Sequence, residues 1–511
     1  MMATVPKQRV TTMDLKSNLV FALGSGQWTP QHEAGWKVLS SGPDERLRNA
    51  VVDVIDRAKD TLFVCSFIVA DTKVQRALLA AVDRHVRVYL LTAAALKLKP
   101  GGDEDEEWTR DDDIREGHKK MLKAFTGRIF LRSASHYHAK YVIADGSSGI
   151  LTTCNLTTKA MLESPELGVM LDEVTCKDLV STFRYQFWEK AEQELIRMDM
   201  LDNAQPEGRF DEPTPSDEAR LRCTYMTDQR SGLLDEVLGL INEAQRSVMV
   251  TSYGWGHPEV MQALKQRAAA GVEVRVLGRN HRGPGHTNPM LDLAEGGCNV
   301  RGIRNIHAKS VLIDAGSPRA RGLVMSANVD KVSLGTSHDV GVVIVGEDTV
   351  ALSSILEGWW TAGHRLLTKQ ERASVVGKIS HFEDGWSTLL VLPDDDIDHG
   401  EMVAPSAHDM EKVEPAKATL PKGQLQRSLT ERWTVVAPRL PPGSKQEAWR
   451  TAPSTRTAKD GEEQEVPGVA HDHPVFVTPE GERVIAVKTL DDAKKAASYL
   501  KTARAKRVVL T

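Results

Sequence analysis

The sequence is poor in cysteine and in aromatic residues, and it has no long apolar run. Five cysteines, Cys65, Cys154, Cys176, Cys223 and Cys298, are scattered along 511 residues. An odd number with no two close together fits neither a disulfide framework nor a zinc knuckle. Three of the thiols lie in apolar or motif-adjacent runs and read as small core residues, and a reducing compartment is the natural home. Aromatics make up 5% of the chain, and few stand beside basic residues. No stacking platform for single-stranded nucleic acid is visible. No window approaches the ~18 apolar residues of a membrane span. The opening segment, MMATVPKQRVTTMDLKSNLVFALG, holds no apolar signal-peptide core. These absences predict a soluble, cytoplasmic protein. A charge excess of one sign is also missing: 65 basic residues stand against 70 acidic ones, for a net charge of -5. The chain as a whole does not attract a polyanion, so any such site must be built locally from clustered Arg and Lys.

The length exceeds what one compact core holds and predicts two or three domains. An internal repeat organises most of it. The segment VVDVIDRAKDTLFVCSF at 51–67 matches VLGLINEAQRSVMVTSY at 237–253. Each reads as an amphipathic helix followed by a buried strand. A second helix follows in each half (74–84 and 258–270), then another apolar strand (86–91 and 272–277). Helix alternating with strand predicts α/β lobes with mostly parallel sheets flanked by helices. The boundaries read as an N-terminal segment 1–45, lobe 1 at 46–200, a Pro-containing linker 201–220 and lobe 2 at 221–370. An extended or partly disordered arm follows at 371–470, rich in Pro and charge, in which Trp433–Val436 could form a strand. A small ββαβ module closes the chain at 471–511. The arm is where an unknown protein partner would bind. Lobe 1 also carries an acidic stretch at 101–113, read as a solvated loop, with a gate against polyanions as the bolder alternative.

The chemistry lies in two copies of His-x-Lys-x4-Asp at equivalent points of the repeat: His138, Lys140 and Asp145, and His307, Lys309 and Asp314. On an extended strand, residues two apart share a face, so each motif sets an imidazole beside an ammonium. Those residue types suit a phosphodiester. Two lysines neutralise its nonbridging oxygens and the charge of the transition state. One histidine attacks phosphorus, and the other protonates the leaving oxygen and then activates water or an alcohol. The scheme needs no metal and no cofactor. Asp145 and Asp314 close the motifs and read as electrostatic and structural supports. Glu166 and Asp339 follow the motifs at equivalent places and are candidates to hold the imidazoles by hydrogen bonds. Thr153-Cys154-Asn155 and Ser326-Ala327-Asn328 also correspond, and their hydroxyls and amides are candidates for phosphate oxygens.

These residues resemble the phospholipase D superfamily over roughly residues 40–370. The resemblance rests on both full motifs, the Asn downstream of each, the later acidic residue and the repeat. It implies two sandwiched α/β lobes with one site at their interface, and a phosphohistidine formed without metal. By the same resemblance His138 is the nucleophile and His307 the acid. Two departures stand out: Thr153 where the family usually has Ser, and Asp339 where Glu is usual, a shorter side chain that would hold His307 differently. Because both motifs lie in one chain, a monomer suffices to complete the site.

The family resemblance leaves the substrate open. Nucleic acid is favoured by the lack of a membrane segment and by basic residues near the second motif: Arg275, Arg279, Arg282, Arg301, Arg304, Arg319 and Arg321. The loop 278–286, GRNHRGPGH, follows a strand end, where α/β folds bind ligands. Its Arg279 and Arg282 are candidate nucleic-acid contacts. A phospholipase or phosphatidyltransferase acting on phospholipid is the alternative reading. A partner-gated enzyme or scaffold is the third.

Overall fold

A computed structural model describes residues 10–14, 19–22, 28–30, 32–93, 112–197, 200–224, 231–279, 289–303, 305–366 and 368, together with short strands between 388 and 508. The chain divides into two compact units. One comprises Gln27–Arg279 with Gly296–Ala362 and holds both motifs; the other comprises Met1–Gly26, Asn280–Glu295 and Gly363–Thr511.

In the motif-bearing unit, lobe 1 runs through β1 (Val38–Ser40), α1 (Arg46–Arg57), β2 (Thr61–Cys65), α2 (Thr72–Asp83), β3 (Arg87–Ala93), α3 (Asp112–Phe125), β4 (Phe130–Ala134), β5 (Tyr141–Ala144), β6 (Ser148–Thr152), β7 (Leu167–Leu171) and α4 (Glu173–Tyr185). Two further strands follow, β8 (Gln193–Arg197) and β9 (Met200–Asn203). Helix α1 buries Leu47, Val51, Val54 and Ile55, the three- and four-residue spacing of one helical stripe. Helices α2 and α4 start where Asp71 and Asp172 accept hydrogen bonds from the free backbone N–H groups of the first turn. The sheet order is β9-β8-β4-β3-β2-β5-β6-β7-β1.

Lobe 2 repeats the plan with β10 (Leu221–Cys223), α5 (Gly232–Glu243), β11 (Ser247–Thr251), α6 (Pro258–Ala269), β12 (Glu273–Arg279), β13 (Asn299–Ile303), β14 (Ser310–Ile313), β15 (Arg321–Met325), β16 (Val340–Ile344) and α7 (Glu347–Ala362). Its strands are ordered β10-β16-β15-β14-β11-β12-β13. The helix-strand alternation gives the parallel pairings it predicts at the centre of each sheet, β2-β3-β4 and β11-β12-β13. Antiparallel strands extend that centre, because β5-β6 and β14-β15 are joined by short turns that reverse the chain.

One hydrophobic core runs through both lobes, taking Cys65, Leu91, Tyr141 and Phe183 from the first and Met249, Leu277, Leu312 and Trp359 from the second. Helix α7 packs against β1, and α4 against β10, so each lobe's last helix covers an edge strand of the other. The strand β1 pairs with β7 and so belongs to lobe 1, ahead of the boundary at 46 read from the sequence. All five cysteines are buried and none forms a disulfide; burial pushes the Cys65 thiol up to about 12 in spite of nearby Lys140.

In the other unit, Thr388–Leu392 pairs with Arg483–Val487, and Lys445–Thr451 pairs with Val475–Val477. Strands of the expected arm and of the expected module thus share one sheet, and position 470 does not divide it. The strand Thr434–Val435 pairs with Thr388–Leu392. Arg507–Val508, inside the expected C-terminal module, pairs with Val10–Asp14. The helix of the expected ββαβ module and most of the acidic stretch, 101–111, lie outside the described residues. Among the described residues no helix is long and apolar enough to cross a membrane.

Candidate active site

The two motifs enter the site at the same point of each sheet. His138 and Lys140 immediately precede β5, and His307 and Lys309 immediately precede β14. The histidines were expected on the strands themselves. They lie instead on extended segments whose backbone bonds to the opposite lobe. His138 and Ala139 both donate their N–H to the carbonyl of His338, at 3.1 and 2.8 Å. His307 and Ala308 donate to the carbonyl of Pro165, at 3.1 and 2.9 Å. The anchoring residues, His338 and Pro165, directly precede the acidic residues Asp339 and Glu166.

This exchange decides which carboxylate meets which imidazole. His138 Nδ1 lies 2.9 Å from Asp339 Oδ1, and His307 Nδ1 lies 2.7 Å from Glu166 Oε1. Each lobe's acid holds the other lobe's histidine. The expectation that Asp339 holds His307 is therefore corrected: its partner is His138. Both carboxylates are fully buried, so an ionised partner requires each Nδ1 to carry the proton it donates. Burial pushes the Asp339 carboxyl up, but His138, Lys140 and the Ser326 hydroxyl outweigh it and hold it below the usual carboxylate range. In each ring Nδ1 is thus the nitrogen turned to a carboxylate of the other lobe.

The lysines are buried beside the histidines. Lys309 Nζ stands 2.9 Å from His307 Nε2, and Lys140 Nζ donates to the His138 carbonyl. Buried ammonium groups this close to the imidazoles concentrate positive charge where phosphoryl oxygens would sit.

The hydroxyls have a different role from the one expected. Thr153 Oγ1 donates to Glu166 Oε2 at 2.5 Å and accepts from the Leu167 N–H. Ser326 Oγ donates to Asp339 Oδ1 at 2.6 Å and accepts from the Val340 N–H. Each hydroxyl is committed to steering a carboxylate, which corrects its assignment to phosphate. Thr153 makes the same contact as Ser326, so the departure at that position leaves this contact intact. The amides of Asn155 and Asn328 are buried at the same strand ends, and the side-chain oxygen of each has no hydrogen-bond partner. They keep their candidacy as polar groups at the site.

Asp145 and Asp314 do not meet the histidines. Strands β5 and β14 separate them from the lysines. Asp145 accepts from the N–H groups of Lys59, Asp60 and Thr61. Asp314 accepts from those of Gln245, Arg246 and Ser247. Each clamps the entry to the first central strand of its lobe. Both sit at positive φ, 53° and 50°, which the reversal into the next strand requires. For each, burial raises the carboxyl, but the backbone donors outweigh it and hold it below its ordinary value.

The described arginines of the basic cluster read from the sequence are engaged by different partners. Arg275 pairs with Glu273 and Glu357, Arg321 with Glu236 and Glu243, and Arg301 bonds the Trp360 carbonyl. Arg319 lies 3.8 Å from Asp314. Arg282 and Arg304 lie outside the described residues. Among the described residues of the group, Arg279 is tied to His307 through Tyr253. Its guanidinium lies 4.5 Å from the centre of the Tyr253 ring and donates to the Tyr253 hydroxyl at 2.7 Å, and that ring meets His307 edge-on at 5.1 Å. Phe67 stands likewise beside His138, at 5.9 Å. Sequence reasoning passed over Phe67 and Tyr253 as site residues, although both end the matched segments of the repeat. Among the described residues no group of His, Cys, Asp or Glu is placed to hold a metal ion.

The family model described as "Cardiolipin synthase, PLD-like domain" matches residues 51–190 and 237–359, more than half of the chain. No curated protein sequence matches. Among solved structures, the chain is similar to polyphosphate kinase from Porphyromonas gingivalis, at 15% identity and a TM-score of 0.42, over 63% of this chain and 46% of that one. It thus spans about half the length of that enzyme. It is similar to phosphatidylserine synthase from Haemophilus influenzae Rd KW20, at 11% identity and a TM-score of 0.48, over 67% of this chain and 90% of that one. It is also similar to Nuc, a phospholipase D family member from Salmonella typhimurium, at 23% identity and a TM-score of 0.25, over 28% of this chain and 96% of that one. At these scores the likenesses carry no argument about substrate.

Proposed function

The chain belongs to the phospholipase D superfamily, and on that premise we propose that it is a nuclease cutting DNA or RNA through a phosphohistidine. The observation that carries the phosphodiesterase chemistry is the crossed pairing of His138 with Asp339 and of His307 with Glu166. It fixes both rings through Nδ1, and the proposed chemistry uses Nε2 of each. In the proposed reaction the His138 Nε2 lone pair attacks phosphorus and forms the P–N bond. The bond from phosphorus to the leaving oxygen breaks as His307 Nε2 delivers its proton to that oxygen. Water then attacks phosphorus and gives its proton to His307, and the P–N bond breaks. Lys140 and Lys309 stabilise the charge on the nonbridging oxygens in both steps. These four side chains supply nucleophile, acid-base group and charge stabilisation without a metal ion.

The nucleic-acid reading rests on Arg279. A phospholipid diester needs cations for one phosphate, which the two lysines supply. A third cation beside His307 suits a substrate with further phosphates along its chain.

The test is cleavage of labelled DNA and RNA in excess EDTA, beside hydrolysis of phosphatidylcholine, with the wild-type protein and His138→Ala. Nucleic-acid cleavage that survives chelation and is lost in the variant is expected. Turnover of lipid alone would overturn the nuclease reading in favour of a phospholipase.

A further inference from the structure

The two lobes are near copies, yet one matched row of their central sheets differs in kind. In lobe 1, Phe63, Tyr89 and Phe130 are cross-strand neighbours on β2, β3 and β4. Their rings stack in turn, with centres 5.7 and 4.8 Å apart and planes 14° and 16° from parallel. The same row of lobe 2 holds Met249, Arg275 and Asn299 on β11, β12 and β13. Two residues before the middle member, and so on the same face, Arg87 stands in lobe 1 where Glu273 stands in lobe 2. In lobe 2 the place is neutral within itself, because Glu273 and Glu357 pair with Arg275. In lobe 1 it is open. The stack starts in the core at Phe63, 7% exposed, and reaches solvent at Phe130, 48% exposed. Arg87 is exposed, and among the described residues no carboxylate pairs with it. The nearby Arg128 is taken up by Asp83.

An exposed ring beside a cation is the combination that binds unpaired nucleotides, the ring taking the face of a base and the cation a phosphate. We propose that Phe130, backed by Tyr89, stacks a base of a single-stranded DNA or RNA segment, and that Arg87 meets a phosphate of the same segment. The inference rests on the nuclease reading and adds that the substrate has an unpaired stretch away from the cut. The platform is held in place before a base arrives: Tyr89 lies between Phe63 and Phe130 and meets the Trp188 ring edge-on at 6.5 Å. The first motif lies beyond the other end of β4, about 13 Å along that strand at ~3.3 Å per residue. A few nucleotides span that distance. Every base has an aromatic face, so the platform selects unpaired strand and not sequence. An apolar protein segment would gain nothing from Arg87, and the cation therefore favours the polyanion. The rings are far apart in the chain, so no window of the sequence shows them together.

The test compares two strands of about fifteen nucleotides, within the range that single-strand sites cover. One is oligothymidylate, and the other is abasic with the same length and charge. Affinities are measured on the full chain carrying His138→Ala, so that bound strand is not cut. Oligothymidylate is expected to bind about tenfold tighter than the abasic strand, the scale of one base stacked on a ring. Adding Phe130→Ala is expected to bring the two strands to parity. Adding Arg87→Gln is expected to weaken both alike and to flatten the fall of affinity with salt. Arg275→Gln, in the matched row of lobe 2, is expected to keep the tenfold ratio. Each ratio is taken on one preparation, so partial misfolding of a variant affects both strands alike. A tenfold ratio that persists in Phe130→Ala, or that is lost as fully in Arg275→Gln, would overturn the proposal. Parity in the His138→Ala protein itself, with DNA or RNA still cut by the wild type, would overturn it and leave the nuclease reading standing. If neither strand binds and the wild type hydrolyses bis(4-nitrophenyl) phosphate but no nucleic acid, the nuclease reading fails and the platform with it.

Discussion

Asp339 Oδ1 lies 2.9 Å from Nδ1 of His138, a residue 201 positions earlier in the chain and in the other lobe. The carboxylate fixes the ring's tautomer, and the proposed mechanism uses Nε2 as the nucleophile. Asp339→Asn keeps the shape but loses the charge. It is expected to lower kcat by about a hundredfold with little change in KM, the scale of losing a group that orients a reacting imidazole. Steady-state kinetics on a chromogenic phosphodiester checks this. An unchanged kcat would show that Asp339 does not orient the nucleophile.

Glu166 makes the matching contact with His307. If His307 is the acid, Glu166→Gln should slow substrates with poor leaving groups far more than those with good ones, because only the former need a proton in the transition state. Comparing a 4-nitrophenyl ester with an alkyl ester measures that difference. Equal losses on both would place His307 in another role.

Asp314 is almost wholly buried and accepts from three backbone N–H groups at the start of β11. Asp314→Ala leaves those donors without their partner and should cost about 2 kcal/mol of stability. The activity of the folded fraction should be preserved. Chemical denaturation together with active-site titration separates the two effects.

Arg275 and Arg321 are engaged by carboxylates at the surface of lobe 2. Neutralising either should leave nucleic-acid affinity within about twofold, as is usual for exposed ion pairs away from a site. Binding isotherms at low salt check this. A large loss in Arg275→Gln would mean that this face also contacts the substrate.

His118 and His338 are buried and neutral: burial pushes His118 down to about 4 and His338 down to about 3 from the ordinary 6.5. Between the folded and unfolded values the unfolded chain binds the extra proton, so stability rises with pH across that window and falls on acidification below about 6.5. The melting temperature of the wild type should therefore drop between pH 7 and pH 5. His118→Leu should flatten part of that slope, whatever it does to stability at pH 7. A slope that stays the same would mean that His118 does not contribute to it.

Much of this was legible in the chain. The match of 51–67 with 237–253 placed α1 and β2 against α5 and β11, because helix and strand periodicities are local properties of side-chain order. The spacing of His138 from Lys140 and of His307 from Lys309 placed an imidazole and an ammonium together for the same reason. The clustering of arginines around the second motif said little of their partners, because proximity in sequence does not say on which side of a strand a side chain lies or which carboxylate meets it. Arg275 and Arg279 are four apart on β12, yet one is bound by Glu273 and Glu357 and the other by Tyr253.

By itself the sequence set each histidine beside its lysine and determined the two-lobed α/β plan, since both follow from residue type and short-range period. Only the tertiary structure decided which acid serves which histidine. The repeat places Asp339 after His307 and Glu166 after His138, and within one lobe that is the natural pairing. Docking the lobes brings the backbone of His138 onto the His338 carbonyl and that of His307 onto the Pro165 carbonyl, and these bonds carry each imidazole to the opposite lobe's carboxylate. A hydrogen bond between residues so far apart in sequence exists only once the lobes are packed, so no local pattern could announce it.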